Sequence, residues 1–444
     1  MDEKQEKKRR VPRKLIVAAV IVLVLAGGFA AWRVHCSALV REQLEAIQAA
    51  GYAVTLEELD ARYPVPVENT ADVYWQAFDN YVEASEEEGA LLPIVGEAAL
   101  PPLGTPMPEE MRRPVEQYVA ANREALDLLH KAGQMKECRF AGDLTMGADL
   151  LLPHLEKLRQ GARMLSAEAL MYAERGDGAR AMASVRSSLA IGRFLSGEPT
   201  MLDLLVHVAA DAITIDALER VMSLIPIPEE DAVNLQDALA GNEVPDQLAR
   251  CLAGEIFFQH WFFTRPLSER ASGLGIARPY VLLLDATGLS DIDFATCLGL
   301  MREIVGVAEK PHPDRLRAMR AFDLDNRIES LPNSYMMTRR LMPTCVRATE
   351  EDAKDAARLR AARVALAVER YRRTRGPLPE TLSDLVPDFL DAVPQDPFDG
   401  EPLRYKRLEV GYVVYSVGPN EADDGGNGRM VEGEDYDVTF TVAR

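Results

Sequence analysis

Leu15–Trp32 reads LIVAAVIVLVLAGGFAAW, eighteen residues without a charged side chain. A stretch this apolar has no polar face to offer water, so it must be buried on all sides. A bilayer core of about 30 Å is crossed by about 20 apolar residues in a helix, which bonds all its own backbone groups. The run therefore predicts a single transmembrane helix. Ahead of it lie Lys4, Lys7, Lys8, Arg9, Arg10, Arg13 and Lys14, against Asp2, Glu3 and Glu6. Positive flanks stay cytoplasmic, so residues 1–14 are expected inside and the chain from Arg33 onward outside. A cleaved signal peptide is the competing reading, with Gly28-Phe29-Ala30 as a small-x-small site. The run exceeds the usual 7–15 residue signal core, which favours an uncleaved anchor.

The 444 residues are too many for one compact core and predict two or three units. The formal charge is −20, and the first fourteen residues carry +4, so the remaining 430 carry −24. An acidic exterior repels phosphate backbones, which excludes nucleic acid as an expected partner. Cys36, Cys138, Cys251, Cys297 and Cys345 are too far apart for a zinc ribbon or a redox pair. Either disulfides or buried free thiols fit them. No lipobox precedes Cys36.

The middle of the chain is helical. Val40, Leu44 and Ile47 continue a helical stripe as far as Gly51. Thr55-Leu56-Glu57-Glu58 reads as a capping box, and Asn69 as a cap for the next helix. Four prolines between Leu91 and Met107 predict a loop. From residue 150 to 224 the apolar period is strong, as in Leu155, Leu158, Ala162, Leu165 and Ala169. Glu174-Arg175-Gly176-Asp177-Gly178 breaks one helix, and Ala181–Leu195 forms the next. This pair resembles a tetratricopeptide hairpin, but no 34-residue repeat recurs. Phe257–Phe263 is densely aromatic, and a buried core segment is favoured over a membrane-surface patch. A long helix is expected from about Thr349 to Arg373.

Catalytic signatures are missing: no G-x-S-x-G, no phosphate-binding glycine loop and no H-E-x-x-H occur. His207 and Asp211 lie four apart on one predicted helix face, the spacing of two metal ligands. With no third ligand in sight, an ordinary side-chain pair is the expectation.

The end of the chain changes period. Leu403–Arg407 and Tyr412–Val417 flank Glu409-Val410-Gly411, a hairpin. Val438, Phe440 and Val442 alternate with polar residues, a half-buried strand. Between them Asn420, Glu421, Asp423, Asp424, Glu432, Glu434, Asp435 and Asp437 crowd around a single cation, Arg429. Calcium takes six to eight oxygen ligands in irregular geometry, so this loop is the candidate metal site; a solvated acidic turn is the alternative.

The order Gly376-Pro377-Leu378-Pro379, Leu382-Ser383-Asp384-Leu385, Asp396-Pro397-Phe398-Asp399-Gly400, then Tyr412 to Pro419 resembles the periplasmic end of type II secretion major pseudopilins. The resemblance covers the last fifth of the chain. It implies a periplasmic helix-plus-sheet module and calcium in the loop, with Asn420, Asp435 and Asp437 at the matching ligand positions; Asp423 and Asp424 join the candidate ligands on the density of carboxylates. The prepilin Gly and Glu are missing around the anchor, so a pilus subunit is not expected. Val54–Leu59, Tyr63-Pro64 and Glu68–Ala71 resemble a group of membrane-anchored bacterial proteins of the planctomycete kind, which implies architecture only.

The expected fold is mainly α, with four parts. These are a basic tail (1–14), a transmembrane anchor (15–32), an irregular helical region (33–345), and a pseudopilin-like α+β module with a small antiparallel sheet (346–444). The expected function is a scaffold or interaction protein, anchored in the inner membrane with its bulk periplasmic. It would meet envelope protein partners, with secretion or pilus-like machinery as the expected setting. The alternative is an envelope hydrolase without a motif, which converging carboxylates or histidines in a helical cleft would favour.

Overall fold

The computed structural model describes residues 13–140, 152–273, 275–342, 344–428 and 436–444. Over these the chain is mainly helical with one small antiparallel sheet. In chain order the helices are α1 (Arg13–Ala49), α2 (Leu56–Arg62), α3 (Thr70–Asp79), α4 (Glu86–Gly89), α5 (Glu109–Ala121), α6 (Arg123–Gly133), α7 (Pro153–Glu174), α8 (Gly178–Leu195) and α9 (Met201–Leu224). There follow α10 (Glu229–Asn242), α11 (Gln247–Thr264), α12 (Leu267–Gly273), α13 (Arg278–Thr287), α14 (Leu289–Ala308), α15 (Asp314–Phe322), α16 (Leu324–Glu329), α17 (Met336–Leu341) and α18 (Cys345–Arg375). The strands are β1 (Arg404–Arg407), β2 (Tyr412–Ser416) and β3 (Val438–Val442).

Helix α1 is one rod of 37 residues, about 55 Å at 1.5 Å per residue. It is long and apolar enough to cross a membrane, and its apolar stretch is exposed among the described residues. The chain divides into two compact units. The first comprises Met1–Val54, Gln259–Arg302 and Leu324–Met342. Within it the Trp32 indole N–H donates to the Thr287 carbonyl at 2.8 Å, and Arg33 lies 3.3 Å from Asp291. Gly288 is left-handed (φ +83), and a Cβ there would stand 2.6 Å from the Arg33 guanidinium. The aromatic run ends inside this unit, where Phe263 stacks on Phe294 at 4.3 Å.

The second unit comprises Thr55–Phe258, Glu303–Asp323 and Pro343–Arg444. Helices α7, α8 and α9 pack on one another, and Asp177 caps α8 by accepting from the Arg180 amide at 3.2 Å. Helix α18 lies against α9, α10, α15 and the sheet. The sheet order is β1-β2-β3, antiparallel throughout, with Tyr405 opposite Val414 and Val414 opposite Phe440. Gly411 turns the hairpin at φ +79, where a Cβ would sit 1.7 Å from the Val442 carbonyl oxygen.

The terminal module and the helical bundle share one core. Leu359, Leu366, Tyr412 and Phe440 belong to the same buried cluster as Leu165, Leu189 and Leu218. The Tyr412 hydroxyl donates to the Ala365 carbonyl at 2.9 Å, and the Ala443 amide donates to Ser223 on α9 at 3.1 Å. No core boundary falls at residue 345. All five cysteines are free thiols, four of them buried. Burial pushes the Cys36, Cys138, Cys251 and Cys297 thiols up, away from the thiolate.

Candidate functional site

Helix α9 begins at a capping box, in which Thr200 and Asp203 bond each other's backbone amides. Its period of 3.6 residues then sets His207 and Asp211 one turn apart on one face. Their neighbours on that face, Leu204, Val208, Ile215 and Leu218, are buried hydrophobics. His207 Nε2 lies 3.3 Å from Asp211 Oδ2. The third member comes from α18, whose Asp355 Oδ2 lies 3.7 Å from the same nitrogen. Donor atoms of all three side chains lie within 4.8 Å of one another, and all three residues are buried. The pair expected from sequence is thus a trio, completed by a residue far along the chain.

Two neighbours hold the trio in place. Asn242, at the end of α10, donates to both Asp211 oxygens at 2.9 and 3.0 Å, and to the Leu189 carbonyl at 2.9 Å. Gly192 on α8 makes room for them, since a Cβ there would stand 2.1 Å from Asp211 Oδ1.

Charge inside the trio is not balanced by direct bonds. Charge-assisted N–H···O bonds measure about 2.7–2.9 Å, and His130 meets Glu168 in this same unit at 2.7 Å. The spacings of 3.3 and 3.7 Å around His207 are longer. Among the described residues His207 Nδ1 and Asp355 Oδ1 have no hydrogen-bond partner. Burial pulls the His207 imidazole down, but Asp211 and then Asp355 more than offset it and carry it up to about 10. The Asp355 carboxyl is pushed up, first by burial and then by the Asp211 charge, against the pull of His207. Two carboxylates thus share one imidazole in a dry site, with the Arg358 charge of α18 also pulling the Asp355 carboxyl down.

Asp355 also lines a cleft of about 440 Å³. On one wall Asp352 accepts from Arg315 at 2.6 Å and lies 3.1 Å from His312 Nε2. Burial works against the ionised Asp352, yet the His312 hydrogen bond and the Arg315 charge hold its carboxyl below the usual range. On another wall Arg360 donates to Glu243 at 2.9 Å and to the Gln395 carbonyl at 2.7 Å. Three further cleft-lining side chains carry buried atoms without partners among the described residues: Gln247 Nε2, His312 Nδ1 and Arg363 Nε. Each such atom costs about 1–3 kcal/mol if left unsatisfied, so their collection in one cleft is a feature to be explained.

The acidic loop is arranged differently. Asp437 accepts from the Asp424, Gly426 and Asn427 amides at 3.3, 2.7 and 3.3 Å. Asn420 donates to Asp424 at 3.0 Å. Asp423 is turned to Tyr415, whose hydroxyl donates to it at 3.1 Å, and to the Gly425 amide at 2.9 Å. Asp435 lies outside the described residues. Among the described residues the loop forms no group of three side-chain ligands as close as the trio.

Sequence reading missed Asp352, Asp355, His312, Gln247 and Arg363. The signal for two of them was present. Ala348, Asp352, Asp355, Leu359, Ala362 and Leu366 share one 3–4 stripe of α18, so two carboxylates interrupt an apolar face. No family model matches the chain, and neither a curated protein nor a solved structure does.

Proposed function

We propose that the protein is a single-pass, membrane-anchored binding protein whose helical unit takes a small, polar, oxyanion-bearing ligand in the cleft beside Asp355. The observation that carries this is that four cleft-lining residues each hold a buried side-chain atom with no hydrogen-bond partner among the described residues: Gln247 Nε2, His312 Nδ1, Arg363 Nε and Asp355 Oδ1. Gln247 and Arg363 offer N–H donors, which a carboxylate or phosphoryl oxygen satisfies. Asp355 offers an acceptor for a hydroxyl or ammonium group of the same ligand. Helix α1 supports the anchor, and the basic residues ahead of it support a cytoplasmic tail. Exposed Leu282 (58%) and Leu283 (55%) lie on α13, whose end is tied to Trp32 where the apolar run stops; a bilayer surface there would cover them. The likeness of the last fifth to pseudopilins supports a periplasmic bulk.

Melting of the full chain in detergent, with phosphate, acetate and glutamate added in turn, tests the cleft. A ligand at a hundredfold excess over its Kd stabilises by about 2.7 kcal/mol. At least one anion is expected to raise the Tm, and Arg363→Gln is expected to abolish the rise. A flat response to all three, with Gln247→Leu more stable than the parent, would mean that the cleft is only structural.

A further inference from the structure

The geometry points to a divalent transition-metal site of the zinc class, formed by His207 Nε2, Asp211 Oδ2 and Asp355 Oδ2 at the edge of the cleft. Zinc bonds to imidazole nitrogen and carboxylate oxygen are about 2.0–2.2 Å. Two such bonds at a tetrahedral angle hold their ligand atoms roughly 3.3–3.6 Å apart. The observed separations from His207 Nε2 are 3.3 and 3.7 Å. Direct charge-assisted hydrogen bonds would have drawn the atoms to about 2.8 Å. His207 Nε2 thus stands from each carboxylate at the spacing of two ligands around one centre, and the two carboxylates lie within 4.8 Å of each other.

Charge agrees with this. Two carboxylates and a neutral imidazole cancel a double positive charge, and in a buried site that cancellation replaces a shared proton. The imidazole selects against calcium and magnesium, which favour oxygen-only shells of six or more ligands. Asn242 provides the support that a metal-binding carboxylate normally has, by bonding both oxygens of Asp211. Gly192 leaves the space for that arrangement. Three protein ligands leave a fourth position, and Asp355 is the ligand that lines the cleft. A bound ion would therefore be reached from the cleft, where it could hold an oxyanion ligand as a Lewis acid. This deepens the ligand reading, but the ion's binding does not depend on which ligand enters.

The test uses the full chain in detergent, stripped with a chelator and titrated with Zn²⁺ alone by calorimetry. Co²⁺ serves as a spectroscopic stand-in. One equivalent is expected to bind, with the intense visible absorption of four-coordinate cobalt. Asp355→Asn and His207→Gln are expected to weaken binding at least tenfold with helical circular dichroism unchanged. Asp423→Asn and Asp437→Asn, in the acidic loop, are expected to leave it alone. Binding that survives both trio variants, or falls only in the loop variants, would overturn the site. Should the trio variants fail to fold, the parent decides, because a stripped protein that takes up no stoichiometric cobalt has no such site. Zinc bound with no anion response would remove the ligand reading and keep the metal. An anion response without zinc uptake would do the reverse.

Discussion

The acidic loop and the buried trio are both built from carboxylates, and they behave in opposite ways. In the loop many carboxylates are close in sequence, and the described ones find backbone amides, an amide side chain, a phenol or the Arg320 guanidinium as partners. In the trio only two carboxylates occur, far apart in sequence, yet they converge on one imidazole with atoms left unpartnered. Density along the chain is a poor guide to a site because exposed carboxylates relax toward water and backbone N–H groups. Convergence under burial is a better one, since neither relief is available there.

Removing the bundle while keeping the loop gives the largest expected effect. A 346–444 fragment would bare Leu359, Leu366 and Tyr412, which are buried against the helical bundle. It is expected to show no cooperative urea transition by circular dichroism. A sharp transition would restore the terminal module as an independent unit and separate the two regions completely.

Next come single substitutions. Asp211→Ala leaves Asn242 and the His207 charge without their partner, and breaking such a buried pair costs about 3–5 kcal/mol. Asp424→Ala in the exposed loop is expected to stay within about 0.5 kcal/mol. Equal losses in urea titrations of the two variants would erase the contrast. Gly192→Ala drives a Cβ toward Asp211 Oδ1, and overpacking of this kind costs about 1–3 kcal/mol. A neutral Gly192→Ala would mean that the Asp211–Asn242 pair has slack.

Titration separates Asp352, on the cleft wall, from Asp437, in the loop, by sign. The Asp352 carboxyl is lowered, against burial, by His312 and Arg315. Its stabilisation is therefore complete above the ordinary aspartate range and is lost as pH falls through the lowered value. The Asp437 carboxyl is raised, chiefly by burial. Its contribution is complete below the ordinary range and is lost as pH rises through the raised value. Carboxyl carbon shifts followed against pH are expected to place the Asp352 midpoint below that of Asp437; the reverse order would contradict both environments. The smallest effect is expected from calcium. With the Asp437 oxygens already accepting from three amides, calcium should raise the Tm of the full chain less than zinc does at equal concentration. A larger calcium effect would return the loop to the leading metal site.

Elements whose signal is local were legible. The long apolar N-terminal helix, the break at Gly176, the helices from Pro153 to Leu224 and the three strands all follow from periods and turn residues within a few positions of one another. The half-buried β3 is a clear example, with Phe440 and Val442 buried and their neighbours partly exposed. Helices α5, α6 and α10, of 11 to 14 residues, were not read, nor were α4, α12, α13, α15, α16 and α17, the shortest of which have too few turns for a period to show. Of the site, only the His207–Asp211 spacing was visible, since it lies within one helical turn.

By itself the sequence determined where the chain can enter a membrane, which segments are helix or strand, and that its exterior is acidic. Each of these depends on composition or on periods of a few residues. Only the tertiary structure decided that α18 brings Asp355 to His207, that Asn242 and Gly192 hold Asp211 in place, and that polar atoms without partners collect in one cleft. Those pairings join residues separated by long stretches of chain, and they are set by how apolar faces pack. A stripe on one helix does not specify which other helix will cover it.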